Sequence, residues 1–133
     1  MKELITIKQI EGLISPHHEY TNRELEKRKE ALEYINDLQD LANYIGGKVE
    51  KLNLGEDWVI SKEIFPNVNL YFVYMKTDED FLSEFKVFFS GNKVKKLQGE
   101  DLASLTIACV NHILRYIKET SYSKKLPDIC NKV

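Results

Sequence analysis

Hydrophobic residues recur along this chain with two different spacings, and each spacing predicts a different element. Between residues 22 and 45 they return every three or four positions with charged residues opposite, which indicates an amphipathic helix. Between residues 48 and 97 they alternate with polar residues in short runs separated by turn residues, as in β-strands. Residues 99–119 again have helical spacing. The order predicts an α+β fold: an N-terminal amphipathic helix, a mostly antiparallel sheet of about five strands in a meander, and a buried C-terminal helix.

Two capping patterns predict where the first helices begin. Thr6 and Gln9 are spaced as a capping box, in which each side chain bonds to the backbone N–H of the other residue. Thr21 and Glu24 repeat this spacing directly before the long amphipathic segment. The patterns predict a short first helix and a long helix over residues 22–45.

The alternation in the strands predicts one core face and one face of mixed character. The core face collects the larger share of aromatic and branched residues, among them Trp58, Ile60 and Phe81. The opposite face is half-apolar, which is more than open water normally requires. We therefore interpret it as a candidate binding surface, carried by Tyr71, Val73, Met75 and Phe88.

The C-terminal helix is more apolar than one covering surface can explain. Residues 102–114 carry no charged side chain, and the apolar arc spans about 200°, against about 100° for a helix that packs on one surface. The sheet and the helix at 22–45 leave one flank uncovered. Such a patch is typical of an interface, and a twofold homodimer is the commonest way to bury one. We predict a homodimer that uses this flank: Ala103, Ile107, Val110 and Leu114.

Cysteine and histidine residues supply the candidate chemistry. Cys109 and His112 are three positions apart on the last helix, but Cys109 falls in the apolar arc, which favours an inert core cysteine. His17 and Glu19 lie with a second histidine in a Pro-led linker, without the four well-spaced ligands of a structural zinc site. The sequence therefore predicts no catalytic residue, no metal and no cofactor. A small enzyme with a pocket near Cys109 and His112, or near His17 and Glu19, remains the alternative.

Charge and composition narrow the partners. The net charge is -2, whereas nucleic-acid binders usually have a strong basic excess. The "KVKK" run at residues 93–96 is interpreted as lysine protection of an edge strand, and nucleic-acid binding is the third hypothesis. No apolar run approaches the ~18 residues of a membrane span. Two distant cysteines suit a reducing compartment, so we expect a cytoplasmic protein.

Two long stretches carry a family resemblance. "EIFPNVNLYFVYMKTDEDF" and "GEDLASLTIACVNHILRYIKE" resemble a family of small uncharacterised proteins from hyperthermophilic archaea. A composition rich in Lys, Glu and Ile agrees with a thermophilic source. The resemblance implies an intracellular protein of unknown activity and transfers no functional residue.

These observations predict one α+β domain over residues 1–133, with residues 120–133 as a loosely ordered tail in which Cys130 is accessible. The leading functional hypothesis is a non-enzymatic, homodimeric interaction module that binds a protein or peptide. It rests on the half-apolar sheet face and the over-apolar helix.

Overall fold

The computed structural model of the chain describes residues 3–76, 78–121 and 125–133. Its α-helices are α1 (Ile7–Glu11), α2 (Pro16–Arg28), α3 (Leu38–Ile45) and α4 (Gly99–Thr120). Its strands are β1 (Lys48–Glu50), β2 (Trp58–Phe65), β3 (Val68–Met75) and β4 (Glu84–Ser90). Three short 3-10 helices cover Lys29–Tyr34, Val94–Lys96 and Asp128–Lys132.

The sheet confirms the antiparallel meander, with one strand fewer than predicted. Within the described residues it has four strands in the order β1-β2-β3-β4, each antiparallel to its neighbour. The predicted fifth strand is a 3-10 turn instead, because Gly91 turns the chain with a positive φ of 119° and Val94 is then buried in the core. Ile5 meets the outer edge of β4 and exchanges two backbone hydrogen bonds of 2.8 Å with Phe89.

The prediction of one long N-terminal helix over residues 22–45 is wrong. The structure divides this segment into the end of α2, a 3-10 helix and α3. Thr21 is not a cap: α2 begins at Pro16, whose fixed φ suits the first helical turn. The Thr21 hydroxyl is buried and donates to the carbonyl of His17 at 2.7 Å. The real cap of α3 is Asp37, which accepts from the backbone N–H of Asp40 at 3.0 Å.

One face of the sheet forms the main core, as the alternation predicts. Buried residues of β2, β3 and β4 on this face belong to the same hydrophobic cluster as buried residues from α3 and α4. α4 lies in contact with α1, α2, α3 and two of the 3-10 helices. The opposite face carries a smaller cluster centred on Val59, Tyr71 and Val73. The buried C-terminal helix is confirmed.

The described part of the C-terminal segment packs on α4. The 3-10 helix Asp128–Lys132 contacts α4, and Cys130 is 0% exposed within the main core. This burial differs from the accessible Cys130 that the sequence predicts, because the 3-10 turn folds the segment back onto the helix. Residues 122–124 of the predicted tail lie outside the described residues. Across the described ranges, no helix combines the length and apolar character needed to span a membrane.

Candidate binding site at the loop end of the sheet

Two loops lie side by side at one end of the sheet. β1 ends and β2 begins at this end, and the antiparallel register also places the end of β3 and the start of β4 there. We call it the loop end. Between the loops lies a cleft of about 660 Å³, the loop-end cleft. It is lined by Gly55, Asp57, Met75, Lys76, Asp78, Phe81, Leu82 and Glu84.

Large apolar side chains project into solvent at this cleft. Phe81 is 70% exposed and Leu82 is 79% exposed, although the sequence pattern places Phe81 on the core face of a strand. The reason for the difference is that β4 begins only at Glu84, so neither residue has a strand partner. In the neighbouring loop, Leu54 is also exposed.

A carboxylate holds the β3–β4 loop in shape. Oδ1 of Asp78 accepts from the backbone N–H groups of Asp80 at 2.8 Å and Phe81 at 2.9 Å. The Asp78 N–H in turn donates to the Phe81 carbonyl at 2.9 Å. An aspartate that bonds to the backbone two and three residues ahead is the usual device of a tight Asx turn. The sequence pattern predicts a turn at this point, but not that Asp78 also bonds to Phe81 and so keeps it out of the strand.

A second carboxylate organises the β1–β2 loop. The Glu56 carboxylate accepts from the backbone N–H groups of Leu52 at 2.8 Å, Leu54 at 2.6 Å and Asn53 at 3.2 Å. The bonds from Leu52 and Leu54 are the main cause of a lowered Glu56 pKa, since they stabilise the charged form. Asn53 and Gly55 adopt left-handed backbone angles that allow this wrapping.

Asp57, at the end of the β1–β2 loop, bonds to the end of β3 and to the start of the β3–β4 loop. Its N–H donates to the Tyr74 carbonyl at 2.9 Å, and its Oδ2 accepts from the Lys76 N–H at 2.6 Å. The cleft therefore has a fixed frame with apolar tips. Its charged lining is acidic in balance, because Asp57, Asp78 and Glu84 face a single lysine, Lys76.

The predicted flank of the C-terminal helix lies elsewhere and is largely covered. Ala103, Val110 and Leu114 are buried within this chain, and Ile107 alone of the four is partly exposed. The cover comes from packing between α2 and α4, reinforced by a 3.0 Å hydrogen bond from Arg28 Nε to Asn111 Oδ1. The flank is therefore less exposed than predicted, with Ile107 as its accessible member, and both the interface and the homodimer stay predictions.

The half-apolar sheet face is also less open than predicted. Tyr71 and Val73 are buried, while Met75 and Phe88 are half-buried around them together with Leu4. Met75 is the member of this set that lines the loop-end cleft.

Cys109 and His112 have separate surroundings. Burial raises the pKa of the half-buried Cys109 thiol, against a smaller opposing effect of the Lys62 charge. The His112 ring packs on Tyr44 with centroids 4.9 Å apart. Nothing in this arrangement activates the thiol, because a nucleophilic cysteine needs a lowered pKa.

His17 pairs with a residue that the sequence did not single out. Its Nδ1 lies 2.5 Å from Oε2 of Glu11, whose other oxygen accepts from the Ser15 hydroxyl at 2.6 Å. The Ser15 bond, followed by those of His17, lowers the Glu11 pKa. Glu11 also packs so tightly against Gly99 that a Cβ there would lie 2.5 Å from its carboxyl carbon. These contacts make the pair a link between α1, α2 and α4.

His18 and Glu19 do not join that pair. His18 contacts Asn22 at 3.1 Å, and Glu19 is exposed. Within the described ranges, no three His, Cys, Asp or Glu side chains come close enough together to hold a metal ion. The "KVKK" lysines surround the 3-10 turn, where Lys95 lies 3.6 Å from Glu3, and nucleic-acid binding stays untested.

A protein-family match extends over most of the elements described above. Residues 1–112 match the family described as Domain of unknown function (DUF3786), and the chain belongs to that family. The match includes the whole sheet, both loops of the loop-end cleft and the first part of α4. Comparison with curated proteins and with solved structures gave no significant match. The predicted resemblance to a family of unknown function is confirmed, whereas the archaeal, thermophilic source stays a prediction.

Proposed function

We propose that this protein is a non-enzymatic interaction module that binds a protein or peptide partner at the loop-end cleft. The observation that carries the proposal is the exposure of Phe81 and Leu82 beside a 660 Å³ cleft. Single exposed apolar residues are ordinary on protein surfaces. Two adjacent ones, held by a turn next to a cleft, are typical of a contact surface.

The frame of the cleft supports binding on energetic grounds. Part of the cost of association is the loss of loop and side-chain freedom. Here Asp78 and Glu56 already bond to the backbone of the two loops. A partner would therefore meet loops that need little further ordering.

The lining also indicates the chemistry of the partner. Burying Phe81 and Leu82 requires apolar side chains on the other molecule, because removal of apolar surface from water is the favourable term. The excess of acids, Asp57, Asp78 and Glu84, favours a lysine or arginine beside them. We therefore expect a partner segment that combines apolar side chains with a basic residue.

The chain offers a matched control for the test. Leu13 and Ile14 form a second adjacent apolar pair, 97% and 87% exposed, in the α1–α2 connection. The residues that line the loop-end cleft do not include this pair. The double variants Phe81→Ser/Leu82→Ser and Leu13→Ser/Ile14→Ser thus remove similar apolar surface from different places.

Wild-type protein and both variants would be immobilised and exposed to lysate of the source organism. A protein captured by the wild type and by the Leu13/Ile14 variant, but lost with the Phe81/Leu82 variant, would then be purified. Calorimetry should show at least about a tenfold weaker Kd for the Phe81/Leu82 variant. Binding that both double variants weaken equally, or that neither changes, would contradict the proposal.

A further inference from the structure

The outer edge of β4 carries backbone groups that point away from the sheet. On the outer side, the Phe89 N–H donates to the Ile5 carbonyl and the Phe89 carbonyl accepts from the Ile5 N–H, at 2.8 Å each. Backbone groups of alternate residues in an antiparallel strand point to opposite sides. Because β4 has a continuous register with β3, the N–H and C=O groups of Phe85 and Val87 point outward like those of Phe89. Lys86 and Phe88 bond inward to β3.

Both ends of this edge are occupied and its middle is open. Ile5 covers Phe89 at one end, and Lys29 Nζ donates to the Ser83 carbonyl at 2.9 Å at the other. Among residues 3–76, 78–121 and 125–133, no group bonds to the outward N–H and C=O of Phe85 or Val87. Native sheets usually cover or interrupt such an edge.

A groove of about 400 Å³ runs along the open part of the edge. One side is β4 itself, from Glu84 to Phe88, and Thr6 lines the groove just before the chain turns into α1. The other wall is α2, which contributes His18, Asn22 and Glu26. Their spacing of four residues places these three side chains on one face of the helix.

We propose that this groove binds an extended peptide segment of a partner protein, which adds to the sheet antiparallel to β4. Outward N–H and C=O groups on every second residue match the backbone of an extended strand. The segment would bond to Phe85 and Val87, as Ile5 already does to Phe89 at the same edge. The acids of the lining are already paired, Glu26 with Lys29 at 2.7 Å and Glu84 with Lys86 at 3.3 Å, so the segment is selected by its extended backbone and not by its charge.

The first test measures amide hydrogen exchange in the wild-type protein. The amides of Phe85 and Val87 should exchange faster than those of Lys86 and Phe88, because only the latter pair bonds to β3. Equal protection of all four amides in dilute protein would overturn the open edge. Protection of Phe85 and Val87 that grows with protein concentration would also overturn the proposal, because a second copy would then fill the groove.

The second test uses a random octapeptide library displayed on phage as the probe. A selected peptide should slow the exchange of the Phe85 and Val87 amides in the wild-type protein. Failure to select any peptide that protects these two amides would overturn the proposal. This readout needs no variant, so it stands whether or not a substitution disturbs folding.

Val87→Pro and Val87→Ala then separate the backbone from the side chain. Both remove the valine side chain, but only proline removes the outward N–H, and neither removes a bond to β3. Val87→Pro should bind the selected peptide at least about tenfold more weakly than Val87→Ala, with circular dichroism confirming that both are folded. Equal affinities would contradict strand addition. Phe81→Ser/Leu82→Ser should keep its affinity for this peptide, which distinguishes this site from the loop-end cleft.

Discussion

Two apolar segments of this chain have opposite environments. In α4, the apolar flank that the sequence predicts as an interface is mostly buried. In the β3–β4 loop, Phe81 and Leu82 are exposed to solvent, although the alternation predicts a strand there with Phe81 on its core face and Leu82 on its mixed face. In the sequence alone, both segments carry large apolar side chains that would be expected to pack against another part of the protein. The difference teaches that local hydrophobicity measures the need for cover and does not say whether the rest of the chain supplies it.

The placement of each segment explains the difference. α4 has 22 residues, so at 1.5 Å per residue it extends about 33 Å. That length lets α1, α2, α3 and two 3-10 helices all contact it. The β3–β4 loop instead projects from one end of the sheet. Its described residues are held by the bonds of Asp78, by the bond from Lys76 to Asp57 and by the bond from Lys29 to Ser83, and these leave the side chains of Phe81 and Leu82 exposed.

The largest expected effect is a difference in stability between alanine variants of two leucines, the buried Leu114 of α4 and the exposed Leu82 of the β3–β4 loop. Leu114→Ala should lower the free energy of unfolding by about 2–5 kcal/mol, because it leaves a cavity in the core. The matched variant Leu82→Ala should change it by less than about 0.5 kcal/mol, as expected for an exposed site. Urea denaturation of both variants measures this. Similar losses in the two variants would show that the loop is packed or that α4 is exposed.

A smaller effect should come from the carboxylate that shapes the β1–β2 loop. Glu56→Ala should lower the free energy of unfolding by about 0.5–1.5 kcal/mol, because three backbone N–H groups at the surface exchange an ionised acceptor for water. The exposed Glu79, replaced by alanine, serves as the control.

The same variant has a defined pH dependence. Since the Glu56 pKa is lowered in the fold, its stabilisation is fully present above the ordinary glutamate pKa of the unfolded chain. It is lost as the pH falls through the lower pKa of the folded state. The difference in melting temperature between wild type and Glu56→Ala should therefore shrink on acidification. A difference that stays constant at all pH values would contradict the assigned bonds.

The smallest expected effect is a difference in alkylation rate between Cys109 and Cys130. Cys109 is half-buried, whereas Cys130 is fully buried against α4. Burial raises the pKa of both thiols, so both should react slowly, with Cys109 labelled first. Mass spectrometry after brief alkylation gives the order, and labelling in urea gives the control in which both react alike. Faster labelling of Cys130 would show that the C-terminal segment opens.

Local patterns predicted those features whose partners lie close in sequence. The Thr6–Gln9 capping box is present at the start of α1. The predicted helix end at Ile45 is also correct, because Gly46 follows it with a left-handed φ of 74°. The same reasoning failed at Thr21, because Pro16 starts α2 earlier and a threonine inside a helix can bond to the carbonyl four residues back. A capping pattern indicates a bond that can form locally without excluding the competing one.

The alternation of side chains by itself determined which face of the sheet is core, since successive residues of a strand must point to opposite sides. It also determined that α4 needs cover around most of its circumference. Only the tertiary structure decided which elements bury α4. α2 and its neighbours pack against its flank, and a 3-10 turn brings Cys130 onto the same helix. Likewise, only the tertiary structure left the loop end and the outer edge of β4 open. The physical reason is that burial depends on contacts between residues far apart in the chain, whereas spacing and capping depend on neighbours within one or two turns.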